Sequence, residues 1–228
     1  MSDEAARLAE GQAREGDLVS NRIGELHETP IGGNFDAAHL QAVHAYLFQD
    51  LPRHRPGVFR ADTESWIKAR ALEGQAISHV VAYAHENIEA RISGILGAFG
   101  GAATLKGLSL EAAAGRMATL YGDLDHAHGF YEGNSRTLRE FMRTLALTAG
   151  YTLDWTGTAV GAAERNALYV ARDVAVLERA FPGLTRERTM RTTDHAEYEA
   201  SFALDRLRRA MGDKSLETIL RERRTPHR

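Results

Sequence analysis

The residues able to do chemistry in this chain crowd into one stretch, His128-Gly129-Phe130-Tyr131-Glu132-Gly133-Asn134-Ser135-Arg136-Thr137-Leu138-Arg139. A polar, glycine-bearing loop there runs into text with helical apolar spacing, so a helix begins at about Ser135. The first N–H groups of a helix have no intrahelical acceptor. A loop leading into them therefore presents donors and a partial positive charge to an anion. Arg136 and Arg139, three positions apart, fall on one side of the first turn, where both can fork onto phosphate oxygens. Glu132 adds a carboxylate, and one carboxylate beside phosphate oxygens is a common way to hold magnesium. His128 supplies an imidazole that can take a proton from an attacking hydroxyl. A base, a metal ligand, an anion hole and two arginines together point to phosphoryl or nucleotidyl transfer.

These groups need elements to hold them. SLEAAAGRMATLYGDLDHA reads as the helix that delivers His128, with Glu111 suited to the dipole of its first turn. SRTLREFMRTLALTAGY reads as an amphipathic helix with Leu138, Phe141, Met142, Leu145 and Ala149 inward and Gly150 as its stop. Phe35, Leu40, Val43, Leu47 and Leu51 mark another helix, with Asp36 to cap it. In ADTESWIKARALEG, Trp66, Lys68 and Arg70 alternate against Ile67, Ala69 and Ala71, the pattern of a strand in a short hairpin. AISHVVAYAHENIEARISGILGAF and AAERNALYVARDVAVLERAF read as helices. Residues 1–24 read as a polar arm or frayed helix, and the dense charges after Thr185 as solvated helices. His39 and His44 are five apart, which does not put them on one helix face, so they read as core or surface histidines. His126 and His128 with Asp123 or Asp125 form a weaker metal alternative, because side chains two apart on a helix diverge.

Composition narrows the partners. A formal net charge of -3 argues against a nucleic-acid binder, and no cysteine is present for disulfides or thiolate sites. The amino terminus is polar and acidic, unlike a secretory signal, and ISGILGAFGGAATL is too short for a membrane span. These features suit a protein of the cytoplasm, or one delivered to another cell's cytoplasm without a cleaved signal.

The loop His128–Arg139 resembles the active-site loop of the Fic family, whose pattern is H-P-F-x-[D/E]-G-N-G-R-x-x-R. Gly129 stands for the proline, which should loosen the loop without removing a reacting group. Ser135 stands for a glycine that lies close to nucleotide phosphates; it keeps an N–H and adds a hydroxyl, where the backbone angles suit a Cβ. The resemblance runs with gaps from Asn34 to Trp155, and retains Gly57 and Arg60 while losing the aromatic pair expected before them. It implies an all-α domain with a short β-hairpin flap beside the active site, over residues 25–200, between the arm (1–24) and a charged tail (201–228).

The family's activity would be protein adenylylation, the transfer of AMP from ATP to a hydroxyl side chain of a target protein. His128 would be the base and Glu132 the Mg2+ ligand. Gly133, Asn134 and Ser135 would cradle phosphates, Arg136 would clamp the β- and γ-phosphates, and Arg139 would meet the γ-phosphate. Trp66, Ile67 and Lys68 of the flap would take a target segment as an added strand. Asn166, Tyr169 and Val170 would border the adenine. Short toxins of the family suggest DNA gyrase or topoisomerase IV as targets, with no direct nucleic-acid or membrane contact. The inhibitory motif [S/T]-x-x-x-E-[G/N] has no full match: Thr193 and Glu197 have the spacing but Tyr198 ends it, and Glu10-Gly11 lacks the hydroxyl residue at Ala6. A separate antitoxin is therefore favoured, pairing of Glu197 with Arg139 is the lesser option, and an uninhibited enzyme remains open. Transfer of UMP, phosphocholine or phosphate is the alternative chemistry. A nucleotide-binding module that lost turnover through Ser135 is the alternative class, against which intact His128, Glu132 and Asn134 weigh.

Overall fold

The computed structural model describes residues 3–71, 78–156, 161–212 and 214–226. It is a helical domain with a β-hairpin, in the order α1 (Asp3–Glu28), α2 (Ala37–Leu47), β1 (Trp66–Ala71), β2 (Ser78–Tyr83), α3 (Ile88–Phe99), α4 (Leu110–Ala127), α5 (Asn134–Thr148), β3 (Tyr151–Leu153), α6 (Ala162–Ala180), α7 (Arg186–Thr189), α8 (His195–Met211), α9 (Leu216–Glu222) and β4 (Arg224–Pro226). Asp36 caps α2 through the His39 N–H (2.9 Å), and Ser109 caps α4 through the Ala112 N–H (3.1 Å). The inward face of α5, Leu138, Phe141, Met142 and Leu145, is buried against α2 and α4, and burying each such side chain contributes on the order of 1.5–3 kcal/mol. Gly150 follows with φ +90°, a conformation that suits glycine at a helix end.

β1 and β2 pair antiparallel, with Trp66 opposite Tyr83 and Arg70 opposite His79. The alternation in β1 holds: Trp66, Lys68 and Arg70 turn inward and Ile67 is 63 % exposed. Its partner corrects the helix expected across AISHVVAY, part of which lies outside the described residues. His79, Val81 and Tyr83 are buried while Ser78 and Val80 are exposed, a period of two that suits β-branched and aromatic residues on a half-buried strand. Val81 and Tyr83 rest on Val170 and Val174 of α6 and on Leu204 and Leu207 of α8, in a second apolar cluster under the hairpin.

The charged C-terminal stretch is not simply a solvated face. α8 buries Ala200, Ala203, Leu204 and Leu207, and α9 buries Leu216, Ile219 and Leu220 against α4. β4 pairs with β3, joining the chain's end to the segment after α5. No helix among the described residues is long and apolar enough to cross a membrane.

Candidate active site

α4 stops at Ala127, and His128 caps it with φ +46° and its N–H on the Leu124 carbonyl (3.1 Å). A side chain bearing a Cβ stays in this left-handed region only where its surroundings fix it. Arg60 does so. Its Nε donates to the His128 carbonyl (2.6 Å), and its Nη2 donates to the carbonyls of Ala127 (3.1 Å) and Ala84. The His128 ring is 3 % exposed, lies 4.0 Å from the Tyr83 ring, and keeps both nitrogens buried without a hydrogen-bond partner. Burial first, then the positive charges of Lys68, Arg172, Arg70 and Arg60, push its pKa well below the usual imidazole range. The ring is neutral at pH 7 and able to accept a proton.

The loop after His128 is fixed from several sides. Asn134 holds Phe130 twice, its Oδ1 accepting the Phe130 N–H (2.9 Å) and its Nδ2 donating to the Phe130 carbonyl (2.6 Å). One Nδ2 hydrogen remains for an anion. Phe130 stacks on His44 at 3.8 Å. His44 Nδ1 accepts the Gly57 N–H (2.9 Å), so its Nε2 carries the proton and donates to the Glu132 carbonyl (3.1 Å). Burial pushes the His44 pKa down to about 4, which keeps this tautomer neutral. His39 and His44 are thus buried structural histidines, each bonded to backbone. The loosening expected at Gly129 is offset by packing: Ile92 Cδ1 would stand 2.5 Å from a Cβ there, and the Gly129 carbonyl accepts the Arg60 N–H (2.8 Å).

Gly133 has φ +80°, and a Cβ on it would meet Phe48 Cζ at 2.3 Å. Gly133→Ala combines a left-handed alanine with a clash in the core. We expect it to destabilise the protein by about 2–5 kcal/mol, read as a lower melting temperature, and to displace the loop.

A cavity of about 330 Å³ opens above this loop, lined by Lys68, Arg70, His128, Glu132, Gly133, Asn134, Ser135, Arg136, Arg139, Tyr169 and Arg172. Every sequence-predicted site residue from His128 to Arg139 is there. Of the three flap residues, Lys68 enters the cavity, with Nζ 3.7 Å from Glu132 Oε1. Trp66 lies under the Arg60 guanidinium (4.5 Å), while Ile67 faces outward. Tyr169 lines the cavity, whereas Asn166 and Val170 are buried in the helix packing.

Arg172, Arg70 and Asp125 belong to the site although no local motif marks them. Arg172 is 1 % exposed and bidentate to Asp125 (2.9 and 2.7 Å), which corrects the reading of Asp125 as a metal ligand beside His126 and His128. Among the described residues, no group of three or more His, Cys, Asp or Glu side chains could hold a metal. Glu132 at the rim is the one carboxylate lining the cavity, which fits a magnesium ion that takes its other ligands from phosphate oxygens and water. Glu197 lies in the first turn of α8 with its carboxylate on Arg188, not on Arg139; the buried face of α8 turns that position toward α7.

A different carboxylate reaches the loop at its first arginine: Glu15 Oε1 of α1 accepts from Arg136 Nη2 (3.0 Å), and Arg53 and His54 join it. Burial pushes the Glu15 carboxyl up, but the bonds from Arg136, Arg53 and His54 outweigh it and hold the pKa at about 2. A phosphate that uses Arg136 must compete with this carboxylate. Glu15→Gln should tighten the binding of a polyphosphate anion at Arg136 by about three- to tenfold, measured by calorimetry with tripolyphosphate, since it removes one charge-assisted partner.

The fold and site define a helical domain that gathers cations and a buried imidazole around a helix N-terminus, under a β-hairpin. Residues 34–146 match the Fic/DOC family, and through them the chain belongs to that family. It is 33 % identical over 133 residues to the protein adenylyltransferase VbhT of Bartonella schoenbuchensis, a stretch covering 58 % of this chain and 25 % of that protein. The match thus spans about a quarter of that relative's length. BepC of Bartonella tribocorum, a VirB-translocated effector solved with AMPPNP, superposes with a TM-score of 0.61 at 21 % identity, over 95 % of this chain and 87 % of that one. The Fic domain of a Bartonella quintana effector solved with ADP gives 0.59 at 21 % identity, over 95 % and 86 %.

Proposed function

We propose that this protein is a Fic-type protein adenylyltransferase that moves AMP from ATP to a hydroxyl side chain of another protein. The observation that carries this reading is the cavity itself: a neutral imidazole with unpartnered nitrogens shares it with a helix N-terminus and the cations Lys68, Arg70, Arg136, Arg139 and Arg172, against the single carboxylate of Glu132. Asp125, Asp173 and Glu15 counter three of these cations from outside the cavity, but the groups that face into it are almost all N–H donors, which suits a donor with a run of phosphates. The kinship with a named adenylyltransferase, and relatives solved with adenine nucleotides, support ATP as that donor.

In this mechanism His128 takes the proton of the target hydroxyl, whose oxygen attacks the α-phosphorus. The bond to the β-phosphate oxygen breaks, and pyrophosphate leaves. Arg136 and Arg139 hold the leaving phosphates, while the N–H groups at the start of α5 stabilise charge at the α-phosphate. Magnesium, held by Glu132 and phosphate oxygens, would offset the charge on the pyrophosphate. Lys68, with Trp66 and Ile67 on the same strand, would present the target segment along the hairpin. A toxin role held off by a separate antitoxin, with gyrase or topoisomerase IV as target, belongs to the same proposal; within the chain, Glu197 lies on Arg188, and Glu15 on Arg136 would compete with a phosphate for that guanidinium.

The test is intact-protein mass spectrometry of a cell lysate incubated with the purified protein, Mg2+ and each nucleoside triphosphate or CDP-choline in turn. An added mass of one AMP from ATP is expected. A UMP or phosphocholine mass would move the donor, and no adduct from any donor despite ATP binding would favour the binding module.

A further inference from the structure

Ser135 occupies the first turn of α5 and lines the phosphate cavity, at the position where the related pattern has a glycine. Its Oγ lies 2.8 Å from Arg172 Nη1. A guanidinium has only donors, so the Ser135 oxygen must accept, and its own hydrogen must point elsewhere. Among the described residues that hydrogen has no acceptor. Arg172 cannot turn away from this contact. Asp125 clamps it by two bonds, and its guanidinium lies 5.6 Å from the Tyr121 ring and 5.5 Å from the Tyr169 ring. Beside Ser135 in the same cavity stands the buried imidazole of His128 with unpartnered nitrogens, a second sign that this space takes a polar ligand.

We propose that Ser135 is a phosphate-binding donor, and that Arg172 is the positioning residue that aims its hydroxyl into the cavity. Arg172 fixes the oxygen's lone pair, rotation about the Cβ–Oγ bond is thereby restricted, and the O–H joins the N–H groups of α5 on a phosphate oxygen. A glycine here would leave those N–H groups alone. Ser135 thus compensates for its added Cβ by adding a donor, and the substitution marks a variant cradle with the same task.

This inference rests on the proposed use of a nucleotide donor, and calorimetry with a non-hydrolysable ATP analogue, ADP and adenosine separates the two. We expect Ser135→Ala and Ser135→Gly to bind the analogue about tenfold more weakly, as for a lost hydrogen bond to a charged group, and adenosine as the wild type does. Ser135→Thr, which keeps the hydroxyl, should retain the affinity. Arg172→Lys cannot hold Asp125 bidentately and reach Ser135 together, so it should weaken the analogue similarly, with little added by Ser135→Ala in the double variant. Equal analogue affinity in wild type, Ser135→Ala and Ser135→Gly overturns the inference while leaving the donor reading intact. So does a parallel loss of adenosine, which would make Ser135 merely structural. A wild type that binds neither the analogue nor ADP removes the proposed function itself, and this inference with it.

Discussion

His128→Ala should lower adenylyl transfer by about 10²–10⁴-fold while leaving ATP affinity nearly unchanged. The imidazole touches no phosphate cradle group, and its removal leaves the α5 N-terminus, Arg136 and Arg139 in place. Comparison of adduct formation with calorimetric ATP binding, wild type beside variant, separates the two effects. A variant that still transfers at the wild-type rate would remove His128 from the mechanism. The pH profile offers an independent check. As the proposed base, His128 works only when unprotonated, and burial with its cationic neighbours pushes its pKa well below the ordinary value of about 6.5. The rate should therefore hold level as pH falls from 8 through about 6.5, and drop only as pH passes through the depressed pKa. An acid limb centred at about 6.5 would mean that the imidazole is better solvated than its burial implies.

The second large effect concerns stability. Asp125→Ala leaves the Arg172 guanidinium buried without its counter-charge, and breaking one side of such a pair destabilises by about 3–5 kcal/mol. For a chain of this size that lowers the melting temperature by roughly 6–20 °C. Asp125→Asn combined with Arg172→Gln neutralises both partners and should recover much of the loss, since a neutral hydrogen-bonded pair has far less desolvation penalty. Thermal melts of the single and double variants measure this. If Asp125→Ala melts within about 2 °C of the wild type, the pair is not the buried lock that its geometry indicates.

The parts of the molecule legible in its sequence are those whose cause is local. α2, α4 and α5 announce themselves through caps and apolar spacing, β1 through Trp66, Lys68 and Arg70, and the cradle through an uninterrupted string from His128 to Arg139. What was not legible depends on groups far apart in the chain. Glu15 meets Arg136, Arg60 meets His128, and Arg172 meets both Asp125 and Ser135, with no periodicity to reveal any of these pairs. One signal for Arg172 did exist. Arg172-Asp173 interrupts the apolar run ALYVARDVAVL, and charges on a helix face that must be buried require partners elsewhere in the fold. β2 is hidden in the sequence because only four residues separate it from α3, so that the helical text of the latter masks a six-residue alternation. The tail is helical as its text suggests, but its many charges conceal the narrow stripe of Ala and Leu that these helices bury.

Asp173 binds both strands of the hairpin, through Arg70 Nε at 3.2 Å and His79 Nε2 at 2.8 Å, while Arg60 ties the residue that follows β2 to the carbonyls beside His128. The strand pair is thus anchored to the helices near the far end of its ladder and at its root. A polypeptide that added itself to this hairpin would meet an edge whose backbone entropy was already lost on folding, so little ordering would oppose the encounter. The same anchors couple motions: tilting the hairpin would pull, through one guanidinium, on the carbonyl of His128, the proposed base. Recognition of the polypeptide and alignment of the proton acceptor would then be a single mechanical event.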